Sequence, residues 1–148
     1  MKIGIANDHA GTELKLKLVE YLSKKGYEVT DFGTDSFTAS DYPVQGELLA
    51  NAVRDKKVEL GIAICGTGLG IGYACNKVKG IRAACVSETT SARLSRFHNN
   101  ANIICFGARI VGLETAKDIV DTFLETPFSN EERHQRRIDM ITEIEERQ

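Results

Sequence analysis

Two hydrophobic rhythms alternate along the chain. Short apolar runs suited to strands recur between longer stretches whose apolar positions fall three and four residues apart, the helical spacing. Residues 2–6 read as a strand. Residues 11–25 read as an amphipathic helix with Leu14, Leu18 and Leu22 on one face and Gly26 as its stop. A second strand is expected over 28–32, then a polar loop over 33–41. Tyr42-Pro43 opens a helix running to about residue 56, with proline suited to a first helical turn. Residues 60–64 form a third strand, and a glycine-rich loop leads into a helix ending near residue 79. Gly80 gives way to a fourth strand over 81–86. A helix over 87–97 follows, with Ser87 as its cap, then a fifth strand over 101–106. Residues 113–124 form a helix broken by Pro127, and a charged helix over 130–146 ends the pattern.

Five strand–helix units with short connections imply a single Rossmann-like three-layer αβα domain over residues 1–148. Its five-stranded sheet is parallel and covered by helices on both faces. The last helix has no strand after it. Its stripe of Ile138, Ile141 and Ile144 has to bury either on its own domain or on a second subunit.

Composition narrows the classes. A hydrophobic content of 42% and a charged content of 27% over 148 residues describe an ordinary globule with a real core. A net charge of −2 gives no global signal for nucleic acid or a membrane surface. No apolar run approaches the ~20 residues that span a bilayer. From Met1 the sequence enters a strand without a signal-type apolar stretch. None of the four cysteines, Cys65, Cys75, Cys85 and Cys105, forms a C-x-x-C pair, which argues against zinc or thioredoxin-like chemistry. A reducing, cytoplasmic setting is expected, with Cys75, Cys85 and Cys105 serving as packing. Basic residues crowd at Arg133, His134, Arg136 and Arg137.

The most informative stretch is 60–72. Its apolar strand ends at Cys65, and Gly66, Gly68, Gly70 and Gly72 alternate after it. The carboxyl edge of an open parallel sheet is where such folds bind ligands. Glycines let backbone N–H groups approach an anion, and such donors at a helix start favour a thiolate. The segment therefore offers a base or nucleophile beside an anion cradle. The plainer reading is a small buried hydrophobe in a tight turn. The spacing G-x-G-x-G-x-G is not a dinucleotide fingerprint, because Ile71 stands where the third glycine belongs, although Glu88 would mimic its ribose-binding acid. No Gly-Lys-Ser/Thr ending makes it a nucleotide P-loop.

Other strand and helix ends hold Asp8 and His9, His98 and Asn99, Arg109, and the i,i+4 pair Arg133 and Arg137. Taken singly, these read as helix caps or solvated charges. Taken together, near one sheet edge or a subunit boundary, they combine phosphate-binding guanidiniums, a proton-transfer pair and an oxyanion cradle. That set suits enolisation of a phosphorylated sugar.

Over essentially its whole length the chain resembles the bacterial family of ribose-, galactose- and allose-phosphate isomerases, and within it the type B ribose-5-phosphate isomerases. The resemblance rests on Asp8-His9, Asp41-Tyr42-Pro43, residues 64–71, Asn76-Lys77, residues 80–83, Leu94-Ser95-Arg96, His98-Asn99, residues 106–109, Val111-Gly112, and Arg133-His134-Gln135 with Arg137. It implies a homodimer or homotetramer whose site is shared between subunits, with no metal or organic cofactor. By resemblance Cys65 is the base, His98 the ring-opening acid, and Gly66, Thr67, Gly68, Leu69 and Gly70 the enediolate-stabilising loop, with Thr67 among the catalytic groups. Asp8, His9, Tyr42 and Asn99 would contact the sugar, and Arg109, Arg133 and Arg137 its phosphate. Some members use a glutamate near position 74 as base; here that position is Ala74. Gly72-Tyr73, Cys75 and Asn130-Glu131-Glu132 depart from the common pattern and bear on sugar length and epimer. The expected reaction interconverts ribose 5-phosphate and ribulose 5-phosphate. A six-carbon sugar phosphate and a non-catalytic nucleotide- or sugar-phosphate-binding module are the alternatives.

Overall fold

The computed structural model describes residues 1–148. Its elements are β1 (Lys2–Asn7), a 3-10 turn (His9–Gly11), α1 (Thr12–Lys24), β2 (Glu28–Asp31), α2 (Tyr42–Arg54), β3 (Leu60–Cys65), α3 (Leu69–Asn76), β4 (Ala83–Cys85), α4 (Thr89–Asn99), β5 (Ile103–Gly107), α5 (Leu113–Glu125) and α6 (Glu132–Glu146). All strand pairs are parallel, in the order β2-β1-β3-β5-β4.

Alternation along the strands divides the core in two. Ile3, Ile5, Ile62, Ile64, Ile104 and Phe106 pack on one face with Leu14, Leu18 and Leu22 of α1 and Ile119, Val120 and Phe123 of α5. Ala6, Ala63, Cys65 and Cys105 meet Leu49 and Val53 of α2 and Ile71 and Cys75 of α3 on the other. This is the three-layer arrangement expected from the pattern.

Three expectations change. The fourth strand shrinks to Ala83–Cys85 because it is an edge strand, paired only with β5. Its open side is closed by Asn76, whose Nδ2 donates to the Ala83 carbonyl (2.9 Å) while the Ala83 N–H donates to Asn76 Oδ1 (2.8 Å). Cys85, at the end of that short strand, is exposed rather than packed, and partial desolvation of its thiol, with Cys65 nearby, pushes its pKa up. The cap of α4 is Glu88, not Ser87. Its carboxylate accepts from the Ser91 N–H through both oxygens (2.9 and 3.0 Å), which a hydroxyl cannot do.

The strand order has a direct effect on the loop after β3. Because β5 lies beside β3, with Cys65 opposite Gly107, the turn leaving β5 bonds to the loop leaving β3. The Ala108 N–H donates to the Cys65 carbonyl (2.8 Å) and the Arg109 N–H to the Gly66 carbonyl (3.0 Å). Gly68 completes the loop at φ 80°, and a Cβ there would stand 2.6 Å from the Phe106 carbonyl carbon. Gly80 has nearly the same φ, 81°, with open space around it. Gly80→Ala is expected to cost about 1–2 kcal/mol, the left-handed penalty alone. Gly68→Ala should cost measurably more, since its Cβ also meets backbone. Urea midpoints of the two variants check this, and equal losses would contradict the close-approach argument.

Candidate active site

Between β1 and β3 the chain direction of travel across the sheet reverses, which opens a crevice beyond their carboxyl ends. Cys65 ends β3 there, 4% exposed. The Gly68 N–H donates to its Sγ at 3.1 Å. α3 starts immediately after, at Leu69, so the amides of Gly70 and Ile71 have no intrahelical acceptor. The Leu69 N–H is engaged by Thr67 Oγ1 (3.2 Å), which leaves the Thr67 hydroxyl hydrogen free to donate outward.

Two side chains frame this cradle. The Arg109 guanidinium lies across Gly66, where a Cβ would come within 3.0 Å of Nη1. The Tyr42 ring lies on Gly70, where a Cβ would come within 2.6 Å of Cζ. Neither contact leaves room for a side chain. On the β1 side the Asp8 N–H donates to the Ile64 carbonyl (3.1 Å), and Asp8 Oδ1 caps the 3-10 turn by accepting from Ala10 N–H (3.0 Å). His9 is tied to the loop before α2. Its own N–H donates to Ser40 Oγ and its Nδ1 accepts from Ser40 N–H, both at 3.1 Å. A neutral His9 therefore carries its proton on Nε2, the nitrogen left free. The far side of that loop is held by Lys15. This lysine is wholly buried yet paired with Asp31 (2.5 Å) and Asp35. Burial opposes its charge, but the two carboxylates outweigh it and hold the ammonium above its ordinary pKa.

His98 and Asn99 are elsewhere. α4 leaves the carboxyl end of β4 and returns to the amino end of β5, so its last turn lies at the opposite edge of the sheet. Ile103 is level with Gly61, four residues before Cys65. At 3.3 Å per residue that is roughly 13 Å along the strands. α6 starts beside this turn. His134 packs on His98 with ring centroids 4.6 Å apart, and Arg133 and Arg137 are exposed on the same helix turns. The structure thus brings Cys65, Thr67, Asp8, His9, Tyr42 and Arg109 together at one edge. It gathers His98, Asn99, Arg133 and Arg137 at the other. Of the α6 stripe, Ile138 is buried, whereas Ile141 and Ile144 are about half exposed and line a groove of ≈ 680 Å³ beside β4 and α4.

Residues 3–141 match the model of the Ribose/Galactose Isomerase family. The chain belongs to that family. Ribose-5-phosphate isomerase B of Escherichia coli is 49% identical over 146 residues, covering 99% of this chain and 97% of its own. Galactose-6-phosphate isomerase subunit LacB of Clostridium acetobutylicum is 41% identical over 144 residues, covering 97% of this chain and 83% of its own. The structure of ribose-5-phosphate isomerase B from Clostridium thermocellum superposes with a TM-score of 0.97 at 51% identity, covering 99% of both chains. This chain is therefore a sugar-phosphate aldose–ketose isomerase of the ribose/galactose isomerase family.

Within this family member, two parts of the site had little or no sequence signal. Ser40 sits in an irregular polar loop, 31 residues from the histidine it holds. His134 shows in the sequence only as part of a basic cluster, yet it is 5% exposed. Its pKa is held below the ordinary 6.5, by burial first and then by Arg133, with His98 and Arg137 adding and Glu131 opposing. The unfolded chain then binds more protons than the folded one between the depressed value and about 6.5, so stability rises with pH across that window. Urea midpoints should fall between about pH 7.5 and pH 5.5, and His134→Phe should shrink the fall. An undiminished fall would place its origin in other groups.

Proposed function

We propose that the enzyme interconverts ribose 5-phosphate and ribulose 5-phosphate, with each site built from two copies of the chain. The observation that carries the chemistry is the buried Cys65 sulfur receiving the Gly68 N–H at 3.1 Å beneath a helix start, with Arg109 across the loop. In this reading His98 donates a proton to the furanose ring oxygen as the C1–O bond breaks, the anomeric hydroxyl gives its proton to solvent, and the aldehyde forms at C1. The Cys65 thiolate then takes the proton from C2. The electron pair forms the C1–C2 double bond of an enediolate, and its negative charge is met by Thr67 and the free loop amides. The O2 hydroxyl proton passes to O1, the proton on Cys65 returns to C1, and the ketone forms at C2. No electron leaves the substrate.

Two copies are invoked because His98 and Cys65 sit at opposite sheet edges of one chain. A second copy placing its amino-edge group over the first copy's crevice supplies His98, Asn99, Arg133 and Arg137. The half-exposed Ile141 and Ile144 give α6 apolar surface for such a contact. A homodimer satisfies the arrangement, and a tetramer repeats it. The non-catalytic reading gains nothing from the buried thiol. A six-carbon substrate has one observation in its favour, the 41% identity to a galactose-6-phosphate isomerase subunit. A panel of five- and six-carbon aldose phosphates decides between the two. A reducing, cytoplasmic setting suits a thiol base.

Cys65→Ala and His98→Asn should each lose isomerase activity as pure proteins. After mixing through a denature–refold cycle, about a quarter of the parent activity should return, because half of randomly paired dimers are mixed and each regains one of two sites. No recovery, with assembly intact, would refute the shared site. Arg137→Ala should raise KM for ribose 5-phosphate by an amount equivalent to about 1.5–3 kcal/mol, one charge-assisted hydrogen bond to phosphate. Its effect on unphosphorylated ribose should be small; equal losses on both would make Arg137 structural.

A further inference from the structure

His134 has no part in the chemistry above, yet it is buried, hydrogen-bonded and packed on His98. We propose that His134 is a positioning residue: its buried ring is the platform that fixes the His98 imidazole in the orientation from which it opens the sugar ring. This rests on the ring-opening reading of His98. His134 is anchored twice. Its backbone lies in the first turn of α6, where its N–H donates to the Glu131 carbonyl (3.0 Å). Its Nδ1 shares a 2.7 Å hydrogen bond with Ser129 Oγ. Ser129 is itself pinned, since its N–H donates to the Phe97 carbonyl (3.0 Å) and its Oγ accepts from the Glu131 N–H (3.2 Å). The Phe97 ring meets His134 edge-on at 6.4 Å and 70°.

The outcome is a chain of contacts that ends on the acid. Ser129 ties the end of α4 to the start of α6, and the same serine sets the His134 ring. That ring covers one face of His98 at 4.6 Å with a 44° tilt. His98 is half-buried, in the last turn of its helix, where the Phe97 ring at 5.7 Å and the His134 ring together limit the rotamer freedom of its side chain. Catalytic groups act efficiently when packing removes such freedom beforehand. The charge arrangement agrees with the geometry. Burial first, and then Arg133, with His98 and Arg137 adding, disfavour a proton on His134, and Glu131 opposes them. A lowered pKa favours the neutral form of the platform, which does not repel a proton on its neighbour.

The test compares two substrates. Ribose 5-phosphate must be opened from a furanose. Erythrose 4-phosphate cannot form that ring, because its phosphate occupies the oxygen the ring would use. The readout is the ratio of kcat/KM for the five-carbon over the four-carbon substrate in the parent, His98→Asn, His134→Asn and His134→Phe. His134→Asn keeps a partner for Ser129 and removes the ring. It should lower the ratio about tenfold or more, a fraction of the 10²–10⁴ that acid catalysis contributes. His134→Phe keeps a ring against His98 and should restore most of the ratio. Ser129→Ala, which leaves His134 buried but unpinned, should lower it in the same direction and less. An unchanged ratio in folded His134→Asn overturns the proposal, as does an equal loss on both substrates, which marks a structural residue. If His98→Asn itself leaves the ratio unchanged, the ring-opening assignment has failed and takes the proposal with it. If His98→Asn lowers the ratio and His134→Asn does not, the platform alone has failed.

Discussion

The pairing of β5 with β3 is the constraint on which the candidate active-site edge depends. Had the strands followed chain order across that half of the sheet, β4 would lie beside β3, and the turn after β5 would be one strand further away. Instead, two amides of that turn reach the carbonyls of Cys65 and Gly66. The bonds stop the loop from continuing as a strand and turn it towards the start of α3. They also carry the Arg109 side chain onto Gly66. One register therefore fixes the cradle, aims the Gly68 amide at sulfur and delivers a guanidinium.

Parallel topology imposes the second constraint. Each strand of such a sheet ends at the same edge, and each helix has to travel back before the next strand begins. Residues at strand ends and residues at helix ends are thereby separated by the height of the sheet. Asp8, Cys65 and Arg109 follow strands, while His98 and Asn99 end a helix. The division into two groups is thus a property of the fold rather than of local side-chain choice. α6, which has no strand to return to, lies beside the helix-end group and adds Arg133 and Arg137 to it.

Much of this was legible from residue pattern. The leucine stripe of α1 and the apolar run of β3 identify themselves by period, because burial on one face or on two leaves that mark. The Cys65 loop was legible because a strand end followed by alternating glycines has few other uses. The placement of His98 at the opposite edge departs from a grouping at one sheet edge, although the return of α4 to the amino edge requires it. Strand order was not legible, since no local preference of β5 records which neighbour it pairs with. For the same reason the contacts of Tyr42 with Gly70 and of Arg109 with Gly66 left no mark in the sequence. The Ser40–His9 pair lies in irregular chain, where side-chain periodicity carries no signal. The Ser87 cap failed by one residue because a carboxylate outcompeted a hydroxyl for the same amide. Cys85 failed because a three-residue edge strand buries less than its hydrophobic run suggests.

The amide of Asn76 against Ala83 bears on how copies of this chain can associate. An open strand edge is an invitation to sheet extension, and a side chain that satisfies both backbone groups withdraws it. Adding a neighbour's strand at Ala83 would first require breaking two good hydrogen bonds. Association on this flank is therefore steered away from one continuous sheet and towards contacts between side chains. A contact of that kind would depend on residue identity rather than on backbone shape.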